Sequence, residues 1–361
     1  MNSRSCYDES IGDLPFSEVN LDLPRLRIVV VGAGPAGGVL AAFLLHGGHE
    51  VFVVDNAPGL AQALLDQGLR VTGAAELTVP VLRAAASLAE VEGFEPDLLI
   101  VATKAPVVPV LCPALEKVAG PETVVLAYQN GIDTEAPLLE AFGPDRVARA
   151  VVRYGANPVG PGHLRMNFWH RPNYLGSLSE TLHPFCRRLA EAMAASGLPT
   201  TFTPDIATSV WEKAITNSMN SISAVTGLTI GEILDIPVLH RTFLELLEER
   251  ITIAKAHGIA VRAGFLDELV AFHEKAREHM PSTYADVQHG LPTEVDWMEG
   301  KFVEYAHRAG LTAPIDQTLL ALVKGRTAAS EIQRAITRPS GAPWGAPAQA
   351  AAPRIPSAPV H

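Results

Sequence analysis

Arg27-Ile-Val-Val-Val-Gly32-Ala-Gly34-Pro35-Ala36-Gly37-Gly38 decides how the first half of this 361-residue chain is read. A β-branched run enters a Gly-x-Gly-x-x-Gly turn, and an uncharged apolar stretch continues to Leu45. Gly32 permits the tight turn, Gly34 lets a pyrophosphate approach the backbone, and Gly37 lets the following helix pack close to the strand. With Pro35 and Ala36 between them, these are the candidate cofactor-binding residues, and the phosphates would sit on unpaired amides at the helix N-terminus. A second strand, Val51–Val54, ends in Asp55. A carboxylate there accepts hydrogen bonds from an adenosine ribose and repels a 2′-phosphate. Asn56 and Ala57 follow, with no Arg to hold such a phosphate. The expected cofactor is therefore NAD, with NADP as the alternative. The competing reading is a structural turn followed by an ordinary loop aspartate.

Working outward, short β-branched runs alternate with helical segments up to about residue 200. They are Arg27–Val31, Val51–Val54, Leu98–Thr103, Thr123–Ala127 and Val147–Val152. Continuous apolar strands alternating with helices predict a doubly wound α/β parallel sheet covered on both faces. A shorter hairpin, Leu69–Thr72 with Leu77–Val81, is expected at its edge. After about Pro204 helical patterns take over: Ser209–Thr226, Pro237–His257, Leu266–His279, Tyr284–His289, Thr293–Ala309 and Gln317–Lys324. The expected organisation is an N-terminal extension (1–24), a dinucleotide-binding α/β domain (25–203), an all-helical domain (204–335) and a disordered Pro/Ala-rich tail (336–361). The glycine turn is also similar to the opening of a flavin hydroxylase. That family carries a later Gly-Asp pair, whereas the one Gly-Asp here, Gly12-Asp13, precedes the turn.

Composition sets the outer bounds. The chain is 48% hydrophobic and 19% charged, enough for a sizeable core, so a mainly disordered protein is excluded. A net charge of −11, with no basic cluster, argues against a nucleic-acid partner. Cys6, Cys112 and Cys186 are odd in number and lack metal-ligand spacing, so no metal is expected and a reducing, cytoplasmic setting is. No signal-peptide run opens the chain. The uncharged stretch Ile28–Leu45 is better explained by the glycine turn than by a membrane span, and no membrane partner is expected.

Ligands of an open α/β sheet bind beyond the carboxyl ends of its strands, where Lys104 and Gln129-Asn130-Gly131 fall. Lys104 suits a cofactor phosphate or substrate carboxylate, and Asn130 a carboxamide, hydroxyl or carbonyl. Taken singly, they read as a solvated lysine and an Asn-Gly turn. In the helix predicted over Ser209–Thr226 the charges are Glu212 and Lys213 alone. Lys213, Asn217 and Asn220 stand at i, i+4 and i+7 and share one face. An ammonium on a buried helix is costly unless it faces a cleft. Desolvation then lowers its pKa toward neutrality and suits it to act as a general acid. The plainer reading is a lysine snorkelling to water. Further on, Ser282 is placed to cap a short helix, its hydroxyl available to a carboxylate, and Pro292 and Thr293 to open the next. Glu294 in a first turn complements the helix dipole.

Together these pieces resemble the ketopantoate reductase (2-dehydropantoate 2-reductase) family. The matching features are the Gly32–Gly37 turn, Ala102-Thr103-Lys104, Gln129-Asn130-Gly131, Gly160-Pro-Gly-His163, Trp211-Glu-Lys213-x-x-x-Asn217, Ser282-x-x-x-Asp286 and Pro292-Thr293-Glu294-Val-Asp296. They run in the family's order over roughly residues 26 to 325. The resemblance implies a Rossmann domain and a helical domain with the active site between them, and often a homodimer. It implies hydride transfer from a reduced nicotinamide to the ketone of a small 2-oxo acid, giving a D-2-hydroxy acid. It makes Lys213 the general acid and Glu294 the residue that orients substrate and lysine. Asn130 and Asn217 would hold the substrate, Asn220 would lie on the same face, Ser282 would anchor a carboxylate or hydroxyl, and Lys104 would serve the cofactor. Two departures stand out. Asn56, preceded by Asp55, replaces the arginine typical of NADP binding, and Ser221 occupies the place of a second asparagine. The first turns the expectation toward NAD, as in the family's D-2-hydroxyacid (mandelate-type) dehydrogenases, and both weaken the case for ketopantoate itself, leaving a dehydrogenase for bulkier 2-oxo acids as the alternative. A nicotinamide-sensing binding protein without turnover is the reading from another class.

Overall fold

The computed structural model describes residues 25–337. The expected N-terminal extension lies outside the described residues. So does most of the expected tail, because the last helix runs to Thr337. The strands are β1 (Arg27–Val31), β2 (Glu50–Val54), β3 (Leu69–Gly73), β4 (Leu77–Val79), β5 (Ala84–Ala85), β6 (Leu98–Val101), β7 (Val124–Ala127), β8 (Val147–Val151), β9 (Tyr154–Gly160), β10 (His163–Trp169), β11 (Asn173–Gly176) and β12 (Thr200–Phe202). Among them run α1 (Pro35–His46), α2 (Leu60–Gln67), α3 (Val108–Val118), α4 (Ala136–Phe142) and α5 (His183–Ala195). The rest is helical: α6 (Ile206–Thr216), α7 (Met219–Thr226), α8 (Ile230–Asp235), α9 (Pro237–Ala256), α10 (Phe265–Lys275), α11 (Ser282–His289), α12 (Glu299–Arg308) and α13 (Pro314–Thr337).

Eight strands form one sheet in the order β5-β2-β1-β6-β7-β8-β11-β12. It is parallel from β5 to β8, and β11 pairs antiparallel with β8. Ile28 stands between Val51 and Leu98 in register. β6, β7 and β8 are buried along their whole length, which is why, Arg149 of β8 apart, they read as continuous apolar runs and not as alternating ones. The chain leaves β1 for β2 on one side and returns at β6 on the other, so the strand order reverses beside β1. Such a reversal opens a crevice at the carboxyl ends of the strands.

The expected edge hairpin is instead part of a second sheet. β3 and β4 join β10 and β9 in the order β4-β3-β10-β9, while two-residue β5 takes the place beside β2. The physical reason is α1, which packs on the main sheet with one face and on the small sheet with the other. A Cβ on Gly37 would lie 2.0 Å from the Gly32 carbonyl oxygen, and one on Gly38 would lie 2.5 Å from Leu164 Cδ1. Covered on both sides, α1 is apolar all round and needs no polar face. No helix among the described residues is long and apolar enough to cross a membrane.

The helix expected over Ser209–Thr226 is two helices. The Ser218 amide bonds to the Ile215 carbonyl, which breaks the ladder between α6 and α7 and leaves the Ala214 carbonyl without that amide. Arg250 of α9, fully buried, fills the gap: its Nη1 donates to the Ala214 carbonyl and to Ser218 Oγ, both at 3.2 Å. The rest of the guanidinium binds Asp316 of α13 (2.6 and 3.0 Å) and Glu299 of α12 (2.8 Å), and it stacks 4.5 Å from the Phe302 ring centroid. One side chain thus ties five helices together. Replacing it leaves two buried carboxylates without their cation. Arg250→Met is expected to lower stability by about 3–5 kcal/mol in urea unfolding.

Candidate active site

The glycine turn has the backbone its sequence demands. Gly32 has φ +99°, and a Cβ there would meet the Ala102–Thr103 peptide at 2.9 Å. Above Gly34 a Cβ would meet nothing within 4 Å, so space lies open over the N-terminus of α1, whose first amides have no partner within the helix. Tyr154, bonded to Tyr128 at 3.1 Å, donates to the Ala36 carbonyl at 2.8 Å. Asp55 grips the turn itself. Its Oδ2 accepts the Ala33 amide at 2.7 Å and its Oδ1 the Ala57 amide at 2.8 Å, leaving each oxygen one further lone-pair direction. At the strand ends, Thr103 Oγ1 and Gln129 Oε1 are buried without a hydrogen-bond partner, although Gln129 Nε2 donates to the Val101 carbonyl at 2.6 Å. Two orphaned buried acceptors beside an open glycine turn fit a polar, donor-bearing group such as a nicotinamide dinucleotide.

Next to this crevice, one cleft collects residues from distant parts of the chain. Asn130 follows β7, and Asn217 and Asn220 flank the α6–α7 break. Ser282 is the first residue of α11, and Glu294 precedes a short 3-10 turn. Ser282 does not cap its helix as expected, because Pro281 holds the cap position. Its hydroxyl makes no hydrogen bond among the described residues. Pro292 and Thr293 do not open a helix either: the 3-10 turn Val295–Trp297 comes first and α12 begins at Glu299. That turn is clamped to the α/β part. The Ile132 amide bonds to the Trp297 carbonyl at 2.8 Å, and only a glycine fits at Gly131, where a Cβ would touch Trp297 Cβ at 2.8 Å.

Charges are distributed unevenly here. Lys104 is ion-paired to Asp286 at 2.5 Å, so the lysine expected on the cofactor spans the cleft to α11. Glu294 Oε1 accepts the Ala105 amide at 3.3 Å. Burial pushes the carboxyls of Glu294 and Asp286 upward, opposed by Lys104. Glu299, at the back, takes the Ser221 hydroxyl at 2.6 Å.

Lys213 stands apart from the cleft lining. The break after Thr216 ends the continuous helical face that the i, i+4, i+7 spacing assumed, so the two asparagines line the cleft and the lysine does not. Lys213 is partly exposed, and its ammonium makes no hydrogen bond or ion pair among the described residues. Burial, and then the nearby charge of Arg153, lower its pKa to about 8. The sequence reading missed Arg153 and Arg149 as shapers of this region, and it named Gln129 without giving it a role. Arg149, buried in β8, donates to the Gly131 and Ala127 carbonyls and pairs with Glu135, which holds the Gln129–Gly131 loop. An arginine inside the apolar run Val-Ala-Arg-Ala-Val was the available signal.

The chain matches the family model "Ketopantoate reductase PanE/ApbA" over residues 28–180 and its companion "Ketopantoate reductase PanE/ApbA C terminal" over residues 205–327. It is 28% identical over 305 residues to the 2-dehydropantoate 2-reductase of Pyrococcus abyssi, which covers 84% of this chain and 98% of that one. A PanE/ApbA family ketopantoate reductase from Ralstonia eutropha JMP134 has a similar structure, with TM-score 0.73, 25% identity and coverage of 84% and 99%. D-mandelate dehydrogenase, solved in a ternary structure with NADH and anilino(oxo)acetate, shares the fold at TM-score 0.77 and 23% identity, again covering 84% and 99%. On these matches, which span most of its length, the chain belongs to the ketopantoate reductase PanE/ApbA family.

Proposed function

We propose that this protein reduces the ketone of a 2-oxo acid to a D-2-hydroxy acid with a reduced nicotinamide dinucleotide, NADH in preference to NADPH. The observation that carries the reading is the convergence of Asn130, Asn217, Asn220, Ser282 and Glu294 on one cleft beside the crevice at the strand ends. When bound there, the dihydronicotinamide supplies the hydride. Gly32, Gly34, Pro35, Ala36 and Gly37 shape the turn beneath the pyrophosphate, and Asp55 keeps acceptor capacity for a ribose. The negative charge of Asp55 opposes a 2′-phosphate.

Hydride addition builds negative charge on the ketone oxygen, and Lys213 is the group suited to quench it. Its ammonium has no carboxylate partner to hold the proton back, and a pKa of about 8 leaves it protonated at neutral pH yet able to give the proton up. Asn130, Asn217, Asn220 and Ser282 offer amide and hydroxyl groups for the substrate's oxygens, and Glu294 orients substrate and lysine. Nicotinamide-bearing family folds and the reductase relatives support turnover over a sensing role. Phe168, edge-on to His279, and Phe272, edge-on to His170, put aromatic surface beside two histidines that feel the charge of Lys213, and this favours the second reading, a mandelate-type enzyme for bulkier 2-oxo acids.

A panel of aliphatic and aromatic 2-oxo acids, assayed with NADH and NADPH, tests the proposal directly; no turnover with any of them would end it. Higher kcat/KM is expected with NADH. Asp55→Ala should narrow the NADH-over-NADPH ratio by about tenfold, the worth of a charge-assisted ribose hydrogen bond. Lys213→Ala should keep NADH binding and lower kcat by about 10²–10⁴-fold. Because the acid form is the active one, reduction by the wild type should decline as pH rises through about 8, and the reverse oxidation should rise. Arg153 is the charge that acts on Lys213, and Lys213 in turn acts on His170, His273 and His279, which burial already biases toward their neutral form.

A further inference from the structure

Two buried hydroxyls meet on the face of the main sheet that α1 covers. Tyr128 follows β7 and Tyr154 opens β9, and both rings sit in the apolar cluster that packs α1 on the two sheets. At 2% and 7% exposure they have almost no access to solvent. A carbonyl has no proton to give, so the contacts fix the direction of the chain. Tyr154 donates to the Ala36 carbonyl at 2.8 Å, and Tyr128 donates to the Tyr154 oxygen at 3.1 Å. Burial pushes both phenols up in pKa, which keeps the two protons in place. A pair of phenylalanines would fill the same space without burying two polar groups. Nor does Ala36 need the second donor, since a carbonyl in a first helical turn already has the amide four residues on.

The place where the chain ends gives it a use. Gly34 caps α1 with no side-chain hydrogen bond, and no acidic residue stands in the first turn. Pro35 has no amide to offer, Asp55 takes the Ala33 amide, and the Gly34 carbonyl takes the Gly38 amide at 2.7 Å. The amides of Gly34, Ala36 and Gly37 are left without a partner among the described residues, and they are what the turn can present to an anion. Two of the three flank the Ala36 carbonyl. We infer that Tyr154 is a positioning residue for the cofactor's pyrophosphate. Its proton pins Ala36 at the crevice and polarises the peptide that Ala36 shares with Gly37, which aims one amide and strengthens the other. Tyr128 makes Tyr154 a stronger donor. Its own amide is held by the Val101 carbonyl at 3.0 Å, and Asn130 of the cleft stands two residues on. One hydrogen-bonded chain therefore ties the glycine turn to the loop that carries Asn130. This assignment rests on the dinucleotide part of the reading above and deepens it.

The test is calorimetric titration of the full-length protein with NADH, with ADP-ribose and, as the phosphate-free control, with adenosine. Tyr154→Phe is expected to weaken NADH and ADP-ribose by about three- to tenfold, the worth of one neutral hydrogen bond, and to leave adenosine unchanged. The single variant strands the Tyr128 proton in the core. Tyr128→Phe/Tyr154→Phe strands none, so its urea midpoint should return toward that of the wild type while the loss of ADP-ribose affinity stays. That split is one a purely structural pair does not produce. Unaltered ADP-ribose affinity in either folded variant would overturn the assignment, and so would an equal loss for adenosine. Failure of both variants to fold would do the same, because the pair would then be a requirement of the core. A wild type that binds neither NADH nor ADP-ribose would overturn the dinucleotide reading as well, and the wild-type titration alone tells that outcome from the others.

Discussion

The guanidinium of Arg250 is the constraint on which the helical half depends. It occupies a fully buried position, satisfies a carbonyl freed by the α6–α7 break, and takes two carboxylates from α12 and α13. Burying three charges carries a large desolvation cost, and an apolar cluster of the same volume serves stability as well or better. What an apolar cluster does not do is stabilise a helix break at a defined residue. The arginine fixes where α6 ends, and that fixes the relation between Lys213 on one side of the break and Asn217 and Asn220 on the other. Glu299 extends the same network forward, since it also accepts the Ser221 hydroxyl at the back of the cleft. A serine in that place is therefore a structural link between α7 and α12.

Much of the α/β half was legible because its signals are local. Four β-branched residues before Gly32, a glycine wherever the backbone approaches another chain segment, and fully apolar runs for buried strands all follow from short-range sterics and burial. β9 and β10 were not legible. Asn157, Pro158, Gly160 and Asn167 interrupt any alternation, and the pairing of β10 with β3 joins residues about ninety positions apart. The helix break was hidden for a related reason. Thr216-Asn-Ser-Met contains no proline or glycine, and the partner that stabilises the break is thirty-two residues beyond Ser218. Asn217 and Asn220 could be chosen correctly as neighbours from spacing, yet the spacing said nothing of the turn that separates them from Lys213.

Thr103 and Gln129 illustrate a different limit: their unbonded oxygens mark the crevice only once their burial is known, and the absence of a partner is a property of the folded chain. Lys104 goes the other way: a lysine at a strand end looks free in the sequence, and the fold gives it Asp286.

These pairings give the cleft its character. Asp286 reaches Lys104 at 2.5 Å, and Glu299 at the back is held by Arg250 at 2.8 Å. Burial pushes the Glu294 carboxyl up, while the charge of Lys104 and the hydrogen bond from the Ala105 amide oppose that rise. The acids of the lining are thus largely answered within the protein. What the lining leaves uncommitted among the described residues are the side-chain amides of Asn130, Asn217 and Asn220 and the Ser282 hydroxyl. Groups of that kind hold a ligand by directional hydrogen bonds and not by net charge. The α6–α7 break, which sets where Asn217 and Asn220 stand, therefore decides what the cleft can receive, and the buried guanidinium that stabilises the break acts on the site without touching it.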